Sequence, residues 1–246
     1  NEKISVGPPF YQKLLIPFLI PFLLAMSIGP RLKWIKSNLE NKIYLILFLI
    51  VSIILSILIV NILQVEFLIN TLLISSAFYL FFISSKDLFK KKLENISQKI
   101  SHFGFSLLIL SILFNNILST EVIINLKIGE TFQSENIKIN FEKLNQADEQ
   151  NYKNIIGEFR VENSEKKVMF LKPELRIYNQ PNIITSEADI KTSLWSDKFM
   201  TMNIVQNQEY FNIRYQEKPL MIWIWFSVFL ISLGGLTSLM KKKYES

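Results

Sequence analysis

Apolar residues along this chain gather into long runs broken by short charged stretches, and only between residues 120 and 218 does the pattern change to short-range alternation. A helix needs about 20 apolar residues to cross the hydrocarbon core of a bilayer. Five segments approach or reach that length, at residues 14–28, 43–63, 67–84, 103–118 and 220–240. The first has a short charge-free core that contains Pro17 and Pro21. Proline removes a backbone donor and kinks a helix, which membrane helices tolerate when neighbours satisfy the freed carbonyls. An ordinary kinked packing helix accounts for it without invoking a gate.

Segment 120–218 alternates with period two, the signature of half-buried strands. Residues 121–128 lead to Gly129-Glu130, and 137–141, 157–161 and 168–171 continue the pattern, with Asn163-Ser164-Glu165 as a hairpin turn. Pro173 and Pro181 punctuate the stretch after residue 171, and 198–205 and 210–215 close the region. Around six to eight short strands with polar turns predict a small antiparallel sandwich or barrel. The expected fold class is a polytopic α-helical membrane protein of about five spans with an inserted all-β soluble domain between the fourth and fifth. The expected divisions are 1–119 (the first four spans and an outer N-terminal segment), 120–218 (the β-rich domain) and 219–246 (the fifth span and a basic cytoplasmic tail).

Charge orients this arrangement. Arg31, Lys33, Lys36 and Lys42 lie against Glu40 between the first two spans; Lys86, Lys90, Lys91, Lys92 and Lys99 lie against Asp87 and Glu94 between the third and fourth; Lys241, Lys242 and Lys243 follow the fifth. The turn Gln64-Val65-Glu66 has no basic residue. Loops rich in Lys and Arg stay in the cytoplasm, so the N-terminus, the turn at 64–66 and the β-rich domain are expected outside. Segment 120–218 holds 13 basic and 15 acidic residues, counted directly along the sequence. The net charge of +6 therefore resides in the cytoplasmic stretches. It reports orientation and lipid contact rather than a nucleic-acid surface.

Composition then narrows the chemistry. The chain has no cysteine, which removes disulfides, thiolate metal sites and thiol nucleophiles, and its only histidine is His102. With one imidazole a multi-histidine metal site is not expected from this sequence alone, and neither is a Ser-His-Asp triad. Two readings of His102 stay open. The plainer one is an interfacial histidine at the cytoplasmic start of the fourth span, bordering the headgroups. The other is an axial haem ligand, since neutral imidazole suits iron and an ionisable residue at membrane depth marks a functional candidate. Gly104 would let a planar macrocycle or another helix approach the backbone. Trp223-Ile224-Trp225 reads as an interfacial anchor, Gly234-Gly235 as a close helix contact, and Asn115-Asn116 as amides at the outer end of a span. The first residue is Asn1 and no basic n-region with a cleavage site comes after it, so a processed product or a fragment is expected and a signal peptide is not.

Several separated pieces carry a family resemblance. Ile4-Ser5-Val6-Gly7-Pro8-Pro9-Phe10-Tyr11 precedes a proline-bearing helix that ends in Gly29-Pro30, with Trp34 beyond. Ser101-His102-Phe103-Gly104, Gly129-Glu130, Lys172-Pro173-Glu174-Leu175-Arg176-Ile177-Tyr178 and Ser186-Glu187-Ala188-Asp189-Ile190 come next along the chain. Tyr215-Gln216-Glu217-Lys218-Pro219, Trp223-Ile224-Trp225 and Gly234-Gly235 complete the series. In this order they resemble the C-terminal part of CcmF, the haem-lyase family of the cytochrome c maturation pathway, over essentially the whole chain. The resemblance implies a component of the lyase that joins haem vinyl groups to the two thiols of a Cys-x-x-Cys-His motif on apocytochrome c. It implies a membrane haem b with His102 as one axial ligand, and hence haem iron as the metal at His102. The expected partners are other maturation proteins of the membrane (the haem chaperone and apocytochrome-binding subunits), apocytochrome c, haem and a quinol electron source, in a bacterial inner membrane or a mitochondrial one.

The family's tryptophan-rich segment, its two outer-face histidines and its first membrane histidine have no counterpart in this sequence. The chain is therefore expected to be a fragment, or one subunit of a split lyase, inactive alone. Ser186 stands where the family has threonine, and Asp197-Lys198-Phe199 where it has a more apolar strand. A non-catalytic membrane scaffold or transporter subunit whose β domain docks a partner is the alternative of a different class.

Overall fold

The computed structural model describes residues 8–31, 42–89, 95–164, 166–205 and 209–245, with backbone alone for 8–13, 42, 182 and 241–245. Residues 4–7, Lys33, Trp34, Lys36, Glu40, Lys90, Lys91, Lys92, Glu94 and Glu165 lie outside the described residues. The chain forms two compact units, Asn1–Leu113 with Trp223–Ser246, and Phe114–Ile222.

The first unit is helical. Its helices are α1 (Pro8–Ile28, followed by a short 3-10 turn at Gly29–Arg31), α2 (Lys42–Leu63), α3 (Phe67–Leu88), α4 (Ile96–Leu118) and α5 (Met221–Glu245). The last residues of α4 and the first two of α5 fall in the second unit. Each helix is long and apolar enough to span a membrane, and large apolar side chains such as Phe18, Ile43, Ile62 and Leu68 point outward, as lipid-facing positions do. Pro8 and Pro9 open α1, where a missing N–H costs nothing. All five expected spans are present. The third runs on to Leu88 and the fourth begins at Ile96, so both gain about a turn or more of polar helix beyond their apolar cores. His102 is therefore well inside α4 rather than at its first residue.

Packing in this unit relies on small hydroxyls. Among the described residues, nine serines of the helical unit are buried: Ser27, Ser52, Ser56, Ser75, Ser76, Ser84, Ser106, Ser111 and Ser227. Ser27 donates to the Leu23 carbonyl at 2.8 Å, Ser52 to Phe48 at 2.7 Å and Ser227 to Trp223 at 2.6 Å. A hydroxyl bonded back onto its own helix carries no unmet polar demand into an apolar environment, and its small size lets helices approach. One pair crosses between helices, Ser84 Oγ of α3 and Ser106 Oγ of α4 at 2.7 Å.

The second unit is a β-sandwich of ten strands. They are β1 (Thr120–Leu126), β2 (Thr131–Gln133), β3 (Ile137–Asp148), β4 (Tyr152–Asn163), β5 (Val168–Leu171), β6 (Glu174–Asn179), β7 (Asn182–Glu187), β8 (Asp189–Thr192), β9 (Ser196–Ile204) and β10 (Phe211–Pro219). One sheet has the order β1-β10-β9-β8 and the other β2-β3-β4-β6-β7, with β5 beside β4; all pairs are antiparallel. Leu126, Met200, Met202, Ile213 and Tyr215 of the first sheet face Ile139, Phe141, Phe159, Val161, Leu171 and Leu175 of the second. At the centre Phe141 stacks on Phe159 with centroids 4.3 Å apart, and Phe211 meets Phe141 edge-on at 5.6 Å. Ser186 on β7 donates to the Met202 carbonyl on β9 at 2.7 Å, a bond between the sheets that its hydroxyl supplies.

The expected strands are present and four more join them. Lys172 and Pro173 separate β5 from β6, and Pro181 sits in the tight β6–β7 turn, so the prolines punctuate a sheet that continues through them. The turn after β4 closes through Asn163 and Lys166, whose N–H reaches the Asn163 carbonyl at 2.9 Å.

Candidate functional site

His102 lies nearly two turns into α4, half-buried. Its helical neighbours define the direction it faces. Ser106, four residues on, bonds Ser84 of α3, and Phe105, three residues on, meets Phe22 of α1 edge-on at 6.3 Å. Residues three and four apart share a helix face, so His102 faces the groove between α1 and α3. Ser84 pairs with Ser106, and Phe81 meets Phe103 at 5.7 Å, so α3 meets α4 at the residues that flank His102. Asp87 and Arg31 are accordingly the charged groups whose fields reach the imidazole.

A polar knot closes this end of the helices. Arg31, in the 3-10 turn after α1, forms a short ion pair with Asp87 of α3. Its Nη1 donates to the Ser27 carbonyl at 2.6 Å, capping α1, and its Nε donates to Tyr44 Oη on α2 at 3.1 Å. Lys86 Nζ stands 3.0 Å from the centre of the Tyr44 ring. The Arg31 and Asp87 side chains are 14% and 26% exposed, so the pair is largely desolvated and neither partner is easily replaced alone. One guanidinium thus ties α1, α2 and α3 together beside the imidazole.

The glycines divide by role. A Cβ on Gly104 would meet the Ile231 backbone nitrogen and Leu230 Cβ at 3.0 Å each, so the room it leaves is taken by α5 and not by a ligand. A Cβ on Gly234 would run into Ser101 Oγ, with the Ser97 carbonyl oxygen at 2.8 Å, whereas Gly235 has open space around it. Of the expected pair, only Gly234 makes the close helix contact. Trp225 is exposed, as an interfacial anchor would be, and Trp223 meets Phe226 edge-on at 6.1 Å. Asn115 is used structurally: its Nδ2 donates to the Pro219 carbonyl at 2.5 Å.

In the β unit, Gly129 takes a φ of +86°, the left-handed conformation that its turn requires, and Glu130 accepts from the Lys127 N–H at 2.9 Å. Arg176 on β6 bonds Glu174 at 3.2 Å and lies over the Tyr152 ring, beside Tyr178 and Glu187. Tyr215 is buried in the core, and that burial pushes its phenol well above the ordinary tyrosine range, with Glu217 adding to the effect. These are packed structural contacts. Among the described residues no group of three or more His, Cys, Asp or Glu side chains converges, so the only transition-metal donor of note is the single imidazole.

Arg31, Tyr44, Lys86 and Asp87 were not singled out by sequence as site residues. Arg31, Lys86 and Asp87 carried only an orientation signal. Nothing local in the sequence links Arg31 to Asp87, which is 56 residues away.

Five apolar helices with a β-sandwich inserted before the last define a polytopic α-helical membrane protein. Residues 117–219 match a family model described as the CcmF C-terminal beta-sandwich. The chain is similar to the cytochrome c-type biogenesis protein CcmF of Pseudomonas fluorescens, 22% identical over 261 residues, covering 100% of this chain and 39% of that protein. It is likewise 22% identical to CcmF of Escherichia coli, covering 99% of this chain and 39% of the relative. Ccl1 of Rhodobacter capsulatus is 23% identical, covering 100% and 40%. A solved structure of the cytochrome c haem lyase CcmF superposes with a TM-score of 0.70 at 19% identity, over 94% of this chain and 40% of that one, which shows a shared fold. Residues 117–219 thus carry the CcmF C-terminal beta-sandwich, and over essentially its whole length the chain is similar to CcmF proteins, spanning about two fifths of the length of these relatives.

A haem group fits this site in part. His102 offers an imidazole on a half-buried helix face with Phe22, Phe81, Phe103 and Phe105 around that level of the bundle. That suits one axial position of a haem; the chain contains no second imidazole for the other.

Proposed function

We propose that this chain is the C-terminal part of a cytochrome c haem lyase, working in the membrane with other maturation proteins and with apocytochrome c. In this reading His102 would hold the iron of a membrane haem b, with a further ligand supplied by residues other than those of this chain. A haem held there would supply one-electron redox chemistry. The chain's own contribution is positional. Arg31 and Asp87 hold α1 against α3 beside His102, and the Gly104 and Gly234 contacts lock α4 to α5, so the imidazole is presented from a braced helix. The β-sandwich is the outer domain of the assembly, and the membrane is a bacterial inner membrane or its mitochondrial equivalent. The observation that carries the reading is the chain's only histidine, set in a helix long and apolar enough to cross a membrane, in a chain similar to CcmF.

The test is to express the chain with its N-terminal complement and record reduced-minus-oxidised spectra of the purified complex. His102→Ala should remove the b-type absorption bands, and added imidazole should restore part of them. Unchanged bands and unchanged cytochrome c output in the His102→Ala complex would overturn the ligand assignment.

A further inference from the structure

The turn between β8 and β9 is built around two exposed apolar side chains. Ser193, Leu194, Trp195 and Ser196 form it, and the Ser193 hydroxyl clamps it by donating to the Ser196 carbonyl at 2.7 Å and accepting from the Ser196 N–H at 3.1 Å. At the tip Leu194 is 63% exposed and Trp195 73% exposed. A rigid water-facing turn ordinarily takes Gly, Asn, Asp or Ser at such positions, and a tryptophan held out of its own core asks for a different surrounding.

Connectivity says which. Ser196 pairs with Pro219 at the end of β10, and the Leu220 N–H donates to the Trp195 carbonyl at 2.8 Å. Met221, the next residue, is the first of the apolar span 221–240. The same end of the sheet receives α4: its span ends at Leu118, Thr120 pairs with Glu217, and Asn115 bonds the Pro219 carbonyl. The Leu194–Trp195 tip is thus hydrogen-bonded to the short stretch of chain where two membrane spans emerge. One step further from that end the surface turns polar, with Asp197, Lys198, Glu217 and Lys218 level with one another and Lys198 Nζ 3.6 Å from Glu217. Apolar tip followed by a charged belt is the profile of a segment seated at a bilayer boundary, where the amphipathic indole of tryptophan is favoured.

We infer that the Ser193–Ser196 turn is a lipid anchor: Leu194 and Trp195 insert into the headgroup–acyl boundary of the leaflet from which α4 and α5 emerge. The occupant of this surface is ordinary phospholipid. The anchor adds a third point of attachment to the two covalent ones and sets the height and tilt of the sandwich at the membrane.

The cysteine-free sequence allows a direct test. Leu194→Cys and Trp195→Cys, each in the full chain, are spin-labelled and reconstituted in phosphatidylcholine–phosphatidylglycerol vesicles. Phe229→Cys, on the exposed side of α5, is the lipid reference, and Glu209→Cys, at the opposite end of the β1-β10-β9-β8 sheet, is the water reference. Power saturation should give both tip positions an oxygen-to-nickel-chelate collision ratio several-fold above that at 209 and approaching that at 229. A ratio equal to that at 209 would put the tip in water and overturn the inference. Low access to both reagents would mean that protein covers it, which also overturns it. Because a labelled cysteine could disturb the turn, native tryptophan fluorescence in bromolipid vesicles gives a second reading. Quenching should fall in Trp195→Phe relative to the parent, and an unchanged quenching profile would count against the anchor.

Discussion

At His102 the decisive surroundings are not on its own helix. The imidazole faces a groove whose far wall carries Asp87 and whose end is closed by Arg31. Arg31 is also the residue whose guanidinium reaches the Ser27 carbonyl and the Tyr44 hydroxyl. Removing Asp87's charge leaves that cation largely desolvated without its carboxylate, and partial exposure of both groups tempers the cost to about 1–3 kcal/mol. Asp87→Asn should lower the melting temperature of the detergent-solubilised chain measurably, while Lys86→Met, which removes ring contacts with Tyr44 and Phe48, should change it less. Equal stability of Asp87→Asn and the parent would remove the ion pair from its bracing role. The histidine was legible in the sequence because it is unique and sits in an apolar segment. Its charged neighbours were not, because residues 31, 87 and 102 come together only when α1, α3 and α4 pack.

At the scale of elements, the α4–α5 crossing turns on one glycine of an adjacent pair. Gly234→Ala places a methyl group against Ser101 and the Ser97 carbonyl, an overpacking that costs about 1–3 kcal/mol. Gly235→Ala meets nothing and should be neutral, or stabilising by up to about 1 kcal/mol through helix propensity. Thermal melts of the two variants in one detergent check the contrast, and similar melts would mean the helices do not cross at Gly234. In the sandwich, Glu158 on β4 lies 3.3 Å from Lys143 and 3.0 Å from Lys172. The Lys172 hydrogen bond, with Lys143 adding to it, holds the Glu158 carboxyl below the usual carboxylate range against an opposing desolvation effect. A folded-state pKa below the unfolded value means the stabilisation is present above about pH 4.3 and is lost as pH falls through the folded pKa. Glu158→Gln should therefore flatten the acid limb of the stability profile while changing little below the folded-state pKa, where both forms are neutral. An unaltered acid limb would assign that sensitivity elsewhere. The glycine pair looked equivalent in sequence; which of them the neighbouring helix approaches is a matter of helix rotation. The serines went unremarked for the same reason, since a hydroxyl in an apolar run gives no sign of the side it faces.

For the whole molecule, the charged loops predict that the β-sandwich and the N-terminus share one side of the membrane and that the tail after α5 lies on the other. A membrane-impermeant maleimide added to intact spheroplasts should label Glu135→Cys, in the β2–β3 turn, and leave Lys242→Cys unlabelled until the cells are opened. The reverse pattern would invert the orientation and with it the placement of His102 near the cytoplasmic face. Five apolar runs, one alternating segment and an asymmetric distribution of lysines were enough to establish the class of this protein, because span length, strand alternation and loop charge are properties of neighbouring residues. The ordered family pieces extended that to a family resemblance, and the single imidazole to a candidate ligand. The tertiary structure decided the rest: four strands that prolines and polar stretches had masked, the Arg31–Asp87 pair, the choice of Gly234 over Gly235, and the occupation of the space at Gly104 by α5. Each of these depends on which face of an element meets which distant partner, and a linear order of residues carries that only after the helices have packed and the sheets have closed.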